Sequence, residues 1–146
     1  KDVPVKLRVY ESLFVPMAKW SMLLTGNYRC VLPHSVQSIH DAVHGDIDQA
    51  STMYAWVDSL AQKLGASPDD MVPFEKYANA ALSLMKPSSA ARAIDGGVSQ
   101  IERVDRLVQT IGQNLGMVND TVDTIVNTVD TRLEENRVPV RMSKTG

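Results

Sequence analysis

Two serines at a predicted helix start carry the clearest chemical pattern in the sequence. Residues 88–95 are predicted to form a short helix, with Ser88 or Ser89 as its cap, that breaks at Gly96-Gly97, where glycine permits positive φ. A second helix is predicted to begin behind Ser99. The two helix N-termini then lie close together, and their free N–H groups are suited to a carboxylate. An ordinary corner between two helices, without a ligand, is the alternative.

Gln100 opens this second predicted helix. At about 100° per residue, its side chain falls on the same side as Val104 and Leu107, so it joins the apolar stripe and does not face water. A polar amide in that position needs hydrogen-bond partners. Backbone groups of a closed core would satisfy it, or the amide lines a cleft whose other wall belongs to a missing part of the protein.

Three further polar side chains lie on or just past the predicted first helix, namely Lys19, Asn27 and Arg29. They offer hydrogen-bond donors to an anionic ligand, although long basic side chains commonly just extend into solvent. The order of residue types shows no Ser-His-Asp triad, phosphate loop or pair of catalytic carboxylates.

The histidines and the cysteine favour structural roles. His40 and His44 have the spacing of two metal ligands on one helix face, with Asp48 one turn further if the helix continued. Gly45 interrupts that helix, so the spacing fixes no acidic third ligand. Exposed histidines are therefore favoured and no metal site is predicted. Cys30 is the single cysteine, and its apolar neighbours indicate a buried thiol in a reducing cytoplasm.

Hydrophobic spacing throughout the chain predicts an all-α fold, a bundle of about six helices with two long helices near the C-terminus. Ser99 and Glu102 have the spacing of a capping box, and Asn119 or Asp120 caps the last helix. Helices are predicted over residues 16–27 with a possible kinked extension to 32, and then over 35–43, 46–64, 73–85, 88–95, 99–116 and 119–133.

Composition limits the classes of function. The chain has 146 residues, 44% of them hydrophobic, which suits one core. A formal net charge of -2 and the lack of a basic stripe argue against a nucleic-acid partner, and no window is apolar enough for a membrane span. Residues 16–133 are predicted as the helical domain. Residues 1–15 are predicted as a linker or the remnant of a missing domain, and residues 134–146 as a charged, frayed tail.

From about residue 16 to residue 133, the chain resembles the C-terminal helical domain of the ketopantoate reductase family (2-dehydropantoate 2-reductases), with its 6-phosphogluconate dehydrogenase C-terminal-like helical fold. Three stretches carry the resemblance: WSMLLTGN at residues 20–27, SSAARAIDGG at 88–97, and QIERVD at 100–105, which leads to Gly112 and Gly116. The second and third stretches form the more specific motif.

The resemblance implies a two-domain enzyme in which a Rossmann domain binds NADPH or NADH and the helical domain closes over a 2-oxo acid. The cofactor would bind mainly to a domain upstream of Lys1, and this fragment alone would be inactive. Hydride transfer to the ketone carbon is implied, with a lysine protonating the alkoxide and a glutamate orienting a substrate hydroxyl. Ser88 falls at the serine that binds the substrate carboxylate. The implied partners are the 2-oxo acid, the Rossmann domain and a second copy of the chain.

The chain departs from the family at several of these positions. Met22 falls where the family has its lysine, and methionine cannot donate a proton, so Lys19 is the candidate acid. Ser88, Gln100 and Asn27 are the candidate substrate-binding residues. The alternative function is a helical dimerisation or ligand-binding module that has lost turnover. When Trp20 is aligned with the family's tryptophan, Met22 falls at the family's lysine and Gln100 at its glutamate. Gly26 and Cys30 fall at the family's two asparagines.

Overall fold

A computed structural model describes residues 16–138, and these residues form an all-α bundle, as predicted. Within that range there is no strand, only an isolated antiparallel bridge between Val31 and Val36. The predictions for residues 1–15 and for the end of the tail lie outside the described residues. Seven helices longer than one turn lie within residues 16–138, in addition to a single 3-10 turn at Pro68–Asp70. They are α1 (residues 17–30), α2 (Ile39–His44), α3 (Ile47–Lys63), α4 (Phe74–Ala81), α5 (Ser89–Asp95), α6 (Val104–Asn114) and α7 (Asp120–Arg137).

The prediction of two long helices near the C-terminus is only partly correct. Helix α7 has 18 residues, but α6 has 11 and is shorter than α3, which has 17. Helix α7 also continues past the predicted limit of residue 133. Its last turn is held by Asn136, whose Nδ2 donates to the carbonyls of Ile94 and Val98 at 2.9 and 2.7 Å. The prediction of a frayed tail is therefore wrong for residues 134–137.

Helix α1 changes its winding along its length. It passes from a 3-10 turn (Met17–Lys19) through an α turn (Trp20–Met22) and a π turn (Leu23–Asn27) to a second 3-10 turn (Tyr28–Cys30). Gly26 lies in the π turn and does not end the helix. An ideal Cβ on Gly26 would overlap the Oη of Tyr77, which donates to the carbonyl of Met22 at 3.2 Å. Glycine thus allows Tyr77 to approach the helix backbone.

Helix α3 connects the two parts of the core. Its predicted apolar face is confirmed, because Met53, Val57 and Leu60 are buried in the larger cluster and Ala50 and Tyr54 in the smaller one. The larger cluster joins α1, α3, α6 and α7, and the smaller one joins α2, α3 and α4. Burial of each large apolar side chain contributes about 1.5–3 kcal/mol. This packing fixes α1 in the middle of the bundle.

The path of the loop after α4 is determined by hydrogen bonds from the start of α2. Helix α2 begins behind the Ser38 cap, later than the predicted residue 35, and two of its first N–H groups need acceptors. The carbonyls of Leu84 and Lys86 accept from the N–H groups of His40 and Ile39 at 2.9 and 3.0 Å. Residues 82–86 therefore leave the helical path, and the predicted helix to residue 85 is wrong.

Candidate functional site

Two neighbouring cavities open where α1, the start of α5 and the segment before α6 meet. Asn27 and Ser89 line both of them. The first, of about 440 Å³, is called the Ser88 cavity and is lined by Asn27, Ile39, residues 83–89 and Arg92. The second, of about 420 Å³, is called the Glu102 cavity and is lined by Leu23, Asn27, Tyr28, Ser89, Ala90, Ile101, Glu102 and Val104.

Ser88 connects α5 to α1. As the predicted N-cap, it accepts a hydrogen bond from the N–H of Ala91 at 3.2 Å, and its own hydroxyl donates to the carbonyl of Asn27 at 2.8 Å. Only 3% of the surface of Ser88 is exposed. Because its hydroxyl hydrogen is already donated to Asn27, Ser88 holds α5 against α1 and has no donor left for a ligand. The side-chain amide of Asn27 has no partner within residues 16–138, so it remains available to a ligand.

Two cations line the Ser88 cavity that the sequence did not single out, Lys86 and Arg92. Both side chains are exposed, and Arg92 Nη2 donates to the hydroxyl of Ser89 at 3.3 Å. The same lining includes the apolar side chains of Ile39 and Leu84. The cavity therefore combines positive charge with hydrocarbon surface, a combination that suits a small organic anion. The sequence alone does not indicate Lys86 as a site residue, because its position depends on the path of the loop at residues 82–86.

Gln100 does not lie on the apolar stripe. It is exposed, and α6 begins four residues later at Val104, so the predictions of a buried amide and of a Ser99-Glu102 capping box are wrong. The helix start is capped by Tyr28 instead, whose Oη accepts from the N–H of Val104 at 2.9 Å and donates to the carbonyl of Glu102 at 2.5 Å. Gln100 lies one residue before Ile101, which lines the Glu102 cavity.

Burial raises the pKa of Tyr28 to about 12, against the lowering effect of the hydrogen bond from Val104. The phenol therefore stays protonated near neutral pH, and its hydrogen atom remains available for the carbonyl of Glu102. This single side chain from α1 holds the segment that forms one wall of the Glu102 cavity.

Tyr28→Phe is expected to lower the free energy of unfolding by about 2 kcal/mol, because the N–H of Val104 and the carbonyl of Glu102 both lose their partner. Chemical denaturation followed by circular dichroism would measure the loss. Tyr54→Phe is the matched control, since its Oη makes one hydrogen bond, to the carbonyl of Val72 at 2.6 Å. Equal losses in the two variants would contradict a special role for Tyr28.

Comparison of the chain with protein-family models, with curated proteins and with solved structures finds no match. The function is therefore argued from the two cavities.

Lys19 and Met22 lie away from these cavities. Lys19 is exposed in the first turn of α1, about 12 Å along the helix axis from Asn27, and it lines neither cavity. Met22 is partly buried and packs against the smaller core cluster. Of the four predicted site residues, the structure brings Asn27 and Ser88 together and leaves Lys19 and Gln100 outside the cavity linings.

His40 and His44 are partly buried, in contrast to the expectation that they are exposed. Their ring centroids are 5.3 Å apart, but His44 Nε2 lies 2.7 Å from the carbonyl of Ala78 and His40 Nδ1 lies 3.0 Å from the carboxylate of Asp41. Within residues 16–138, no group of three or more potential ligand side chains could hold a metal ion. Cys30 is fully buried, as predicted, and burial raises the pKa of its thiol.

None of the helices in the described part of the chain combines the length and apolar character needed to cross a bilayer.

Proposed function

We propose that this chain is the substrate domain of a ketopantoate reductase-like oxidoreductase that reduces a 2-oxo acid with NADPH or NADH. In this proposal the nucleotide binds mainly to a separate domain of the same polypeptide. The observation that carries the proposal is the junction at Asn27 and Ser89, which line two adjoining cavities, the first of which is also lined by Lys86 and Arg92.

The chemistry of the Ser88 cavity suits a 2-oxo acid. Lys86 and Arg92 would pair with the carboxylate, and the free amide of Asn27 would donate to the keto oxygen. A branched apolar substituent would lie against Ile39 and Leu84. A volume of about 440 Å³ is ample for such a molecule and falls within the usual range for ligand sites.

Reduction of the keto group also needs a proton donor. As hydride adds to the carbonyl carbon, the electron pair of the C=O bond moves to oxygen, and the alkoxide must take a proton. Lys19 is the acid predicted from the family resemblance. Lys86 is the second candidate, because it lines the cavity whereas Lys19 does not.

Isothermal titration with 3-methyl-2-oxobutanoate tests substrate binding. Lys86→Met is expected to weaken binding by about tenfold or more, since a charge-assisted hydrogen bond is lost. Lys63→Met, at the exposed end of α3, is the matched control and should leave the affinity unchanged. Absence of binding across a panel of 2-oxo acids would refute the proposal, as would equal affinity of the Lys86 variant and the original chain.

A binding module without turnover is the second candidate. It is favoured by Met22 at the position of the family's lysine and by the distance of Lys19 from the cavities. NADPH oxidation by the polypeptide that joins this domain to a nucleotide-binding domain separates the two candidates. Turnover lost in Lys19→Met or Lys86→Met even at saturating 2-oxo acid identifies the acid, whereas 2-oxo acid binding without NADPH oxidation supports the module.

A further inference from the structure

A third cavity shares no lining residue with the proposed substrate site. It has a volume of about 370 Å³ and is formed by the end of α1, the turn that follows it, and the first half of α7. We call it the Arg29 groove, and it is lined by Arg29, Val31, Leu32, Pro33, Gln37, Gln49, Asp120, Thr121, Thr124, Ile125 and Thr128.

Arg29 is the cation of this groove and lacks a counter-ion contact. Its Nη2 donates to the neutral side-chain oxygen of Gln49 at 2.8 Å, while its Nη1 is buried without a hydrogen-bond partner. Arg29 forms no ion pair within residues 16–138. The carboxylate of Asp46 is near enough to favour the charged form, but it accepts from the N–H of Gln49 instead.

A partly buried guanidinium without an anion is costly, because desolvation disfavours its charge and no short ion pair compensates for it. Burial accordingly lowers the pKa of Arg29, against the opposing effect of Asp46. The guanidinium group presents paired N–H donors that match the two oxygens of a carboxylate. An anion in the groove would supply the missing counter-charge and would accept from N–H groups of Arg29 other than the solvent-inaccessible Nη1.

The remaining walls narrow the class of anion. Val31, Leu32 and Ile125 supply an apolar surface next to the guanidinium. Asp120 contributes one negative charge to the same lining, so the pair of charged walls is neutral before a ligand binds. The attraction by Arg29 and the repulsion by Asp120 both scale with the charge of the ligand, so a second negative charge gains little net attraction. It does add a desolvation cost against the apolar walls, which favours a singly charged ligand.

We infer that the Arg29 groove binds a monoanionic organic carboxylate, with the carboxylate paired to Arg29 and the apolar body lying against Val31, Leu32 and Ile125. This site is separate from the Ser88 cavity and does not depend on the proposed reductase function.

Hexanoate is the probe for this inference because it carries one carboxylate and an apolar tail but no keto group. Isothermal titration of the 146-residue chain is expected to show saturable binding of hexanoate, weakened about tenfold or more by Arg29→Gln. Arg106→Gln, which changes an exposed arginine on α6, is the charge-matched control and should bind hexanoate like the original chain.

A second variant protects the test against a folding defect. Thr124→Phe adds a ring to the wall of the groove at an exposed position of α7 and leaves Arg29 in place, so it should also weaken hexanoate binding. Hexanoate affinity equal to that of the original chain in folded Arg29→Gln or in Thr124→Phe would overturn the inference. Absence of hexanoate binding would do the same, and tighter binding of inorganic phosphate than of hexanoate would overturn the assignment to a monoanionic carboxylate.

Discussion

Gly26→Ala is expected to lower the free energy of unfolding by about 3 kcal/mol, because the new methyl group would overlap the Oη of Tyr77 and lie 2.9 Å from its Cζ. Tyr77 cannot easily move away. It is 8% exposed, its ring stacks on Tyr54 at a centroid distance of 5.8 Å, and its hydroxyl is bonded to Met22. Urea denaturation would measure the loss.

A double-mutant cycle tests this cause directly. Tyr77→Phe removes the oxygen atom that the methyl group would strike, so Gly26→Ala should cost clearly less in that background. Gly96→Ala is the matched control, since an added Cβ would meet only ordinary contacts at 3.4 and 3.5 Å. If Gly26→Ala costs the same with and without the Tyr77 hydroxyl, the steric explanation for glycine at position 26 fails.

Arg103→Met is expected to destabilise the fold by about 3–5 kcal/mol, since it leaves a buried carboxylate without its partner. Asp105 is completely buried and receives two hydrogen bonds from Arg103, both of 2.9 Å. Arg103 also pairs with Asp130 at 2.6 Å, which ties the start of α6 to α7. Burial lowers the pKa of Arg103, but its bonds to Asp105 and Asp130 outweigh this and raise it.

Thermal and chemical denaturation would compare Arg103→Met with Arg106→Met, whose exposed side chain should cost less than about 0.5 kcal/mol. The double variant Arg103→Met with Asp105→Leu removes both charges and should recover much of the lost stability. A loss of under about 1 kcal/mol in Arg103→Met would show that the buried carboxylate does not depend on this ion pair.

The features that the sequence predicted well are those decided by nearby residues. The apolar face of α3 follows from spacing alone, and the caps Ser88 and Asn119 act on N–H groups three residues away. The burial of Cys30 likewise follows from its apolar neighbours. Each of these features depends on residues that lie within one or two helical turns of each other in the sequence.

The features that the sequence missed depend on distant contacts. Helix α6 starts at Val104 because of Tyr28, 76 residues earlier, and the π turn accommodates Tyr77 on another helix. Dependence on a distant contact also explains why the sequence did not indicate Lys86 as part of the candidate site. Lys86 reaches the Ser88 cavity only because the N–H groups at the start of α2 draw the preceding loop out of the helix, and hydrophobic periodicity does not record that competition.

A two-dimensional NMR titration with 3-methyl-2-oxobutanoate tests the proposed substrate site most directly. We expect the largest shifts at the backbone amides of Asn27, Ser89 and Glu102, which surround the junction of the two cavities. Shifts confined to the Arg29 groove, or no saturable shifts at any 2-oxo acid concentration, would contradict a 2-oxo acid site at this junction.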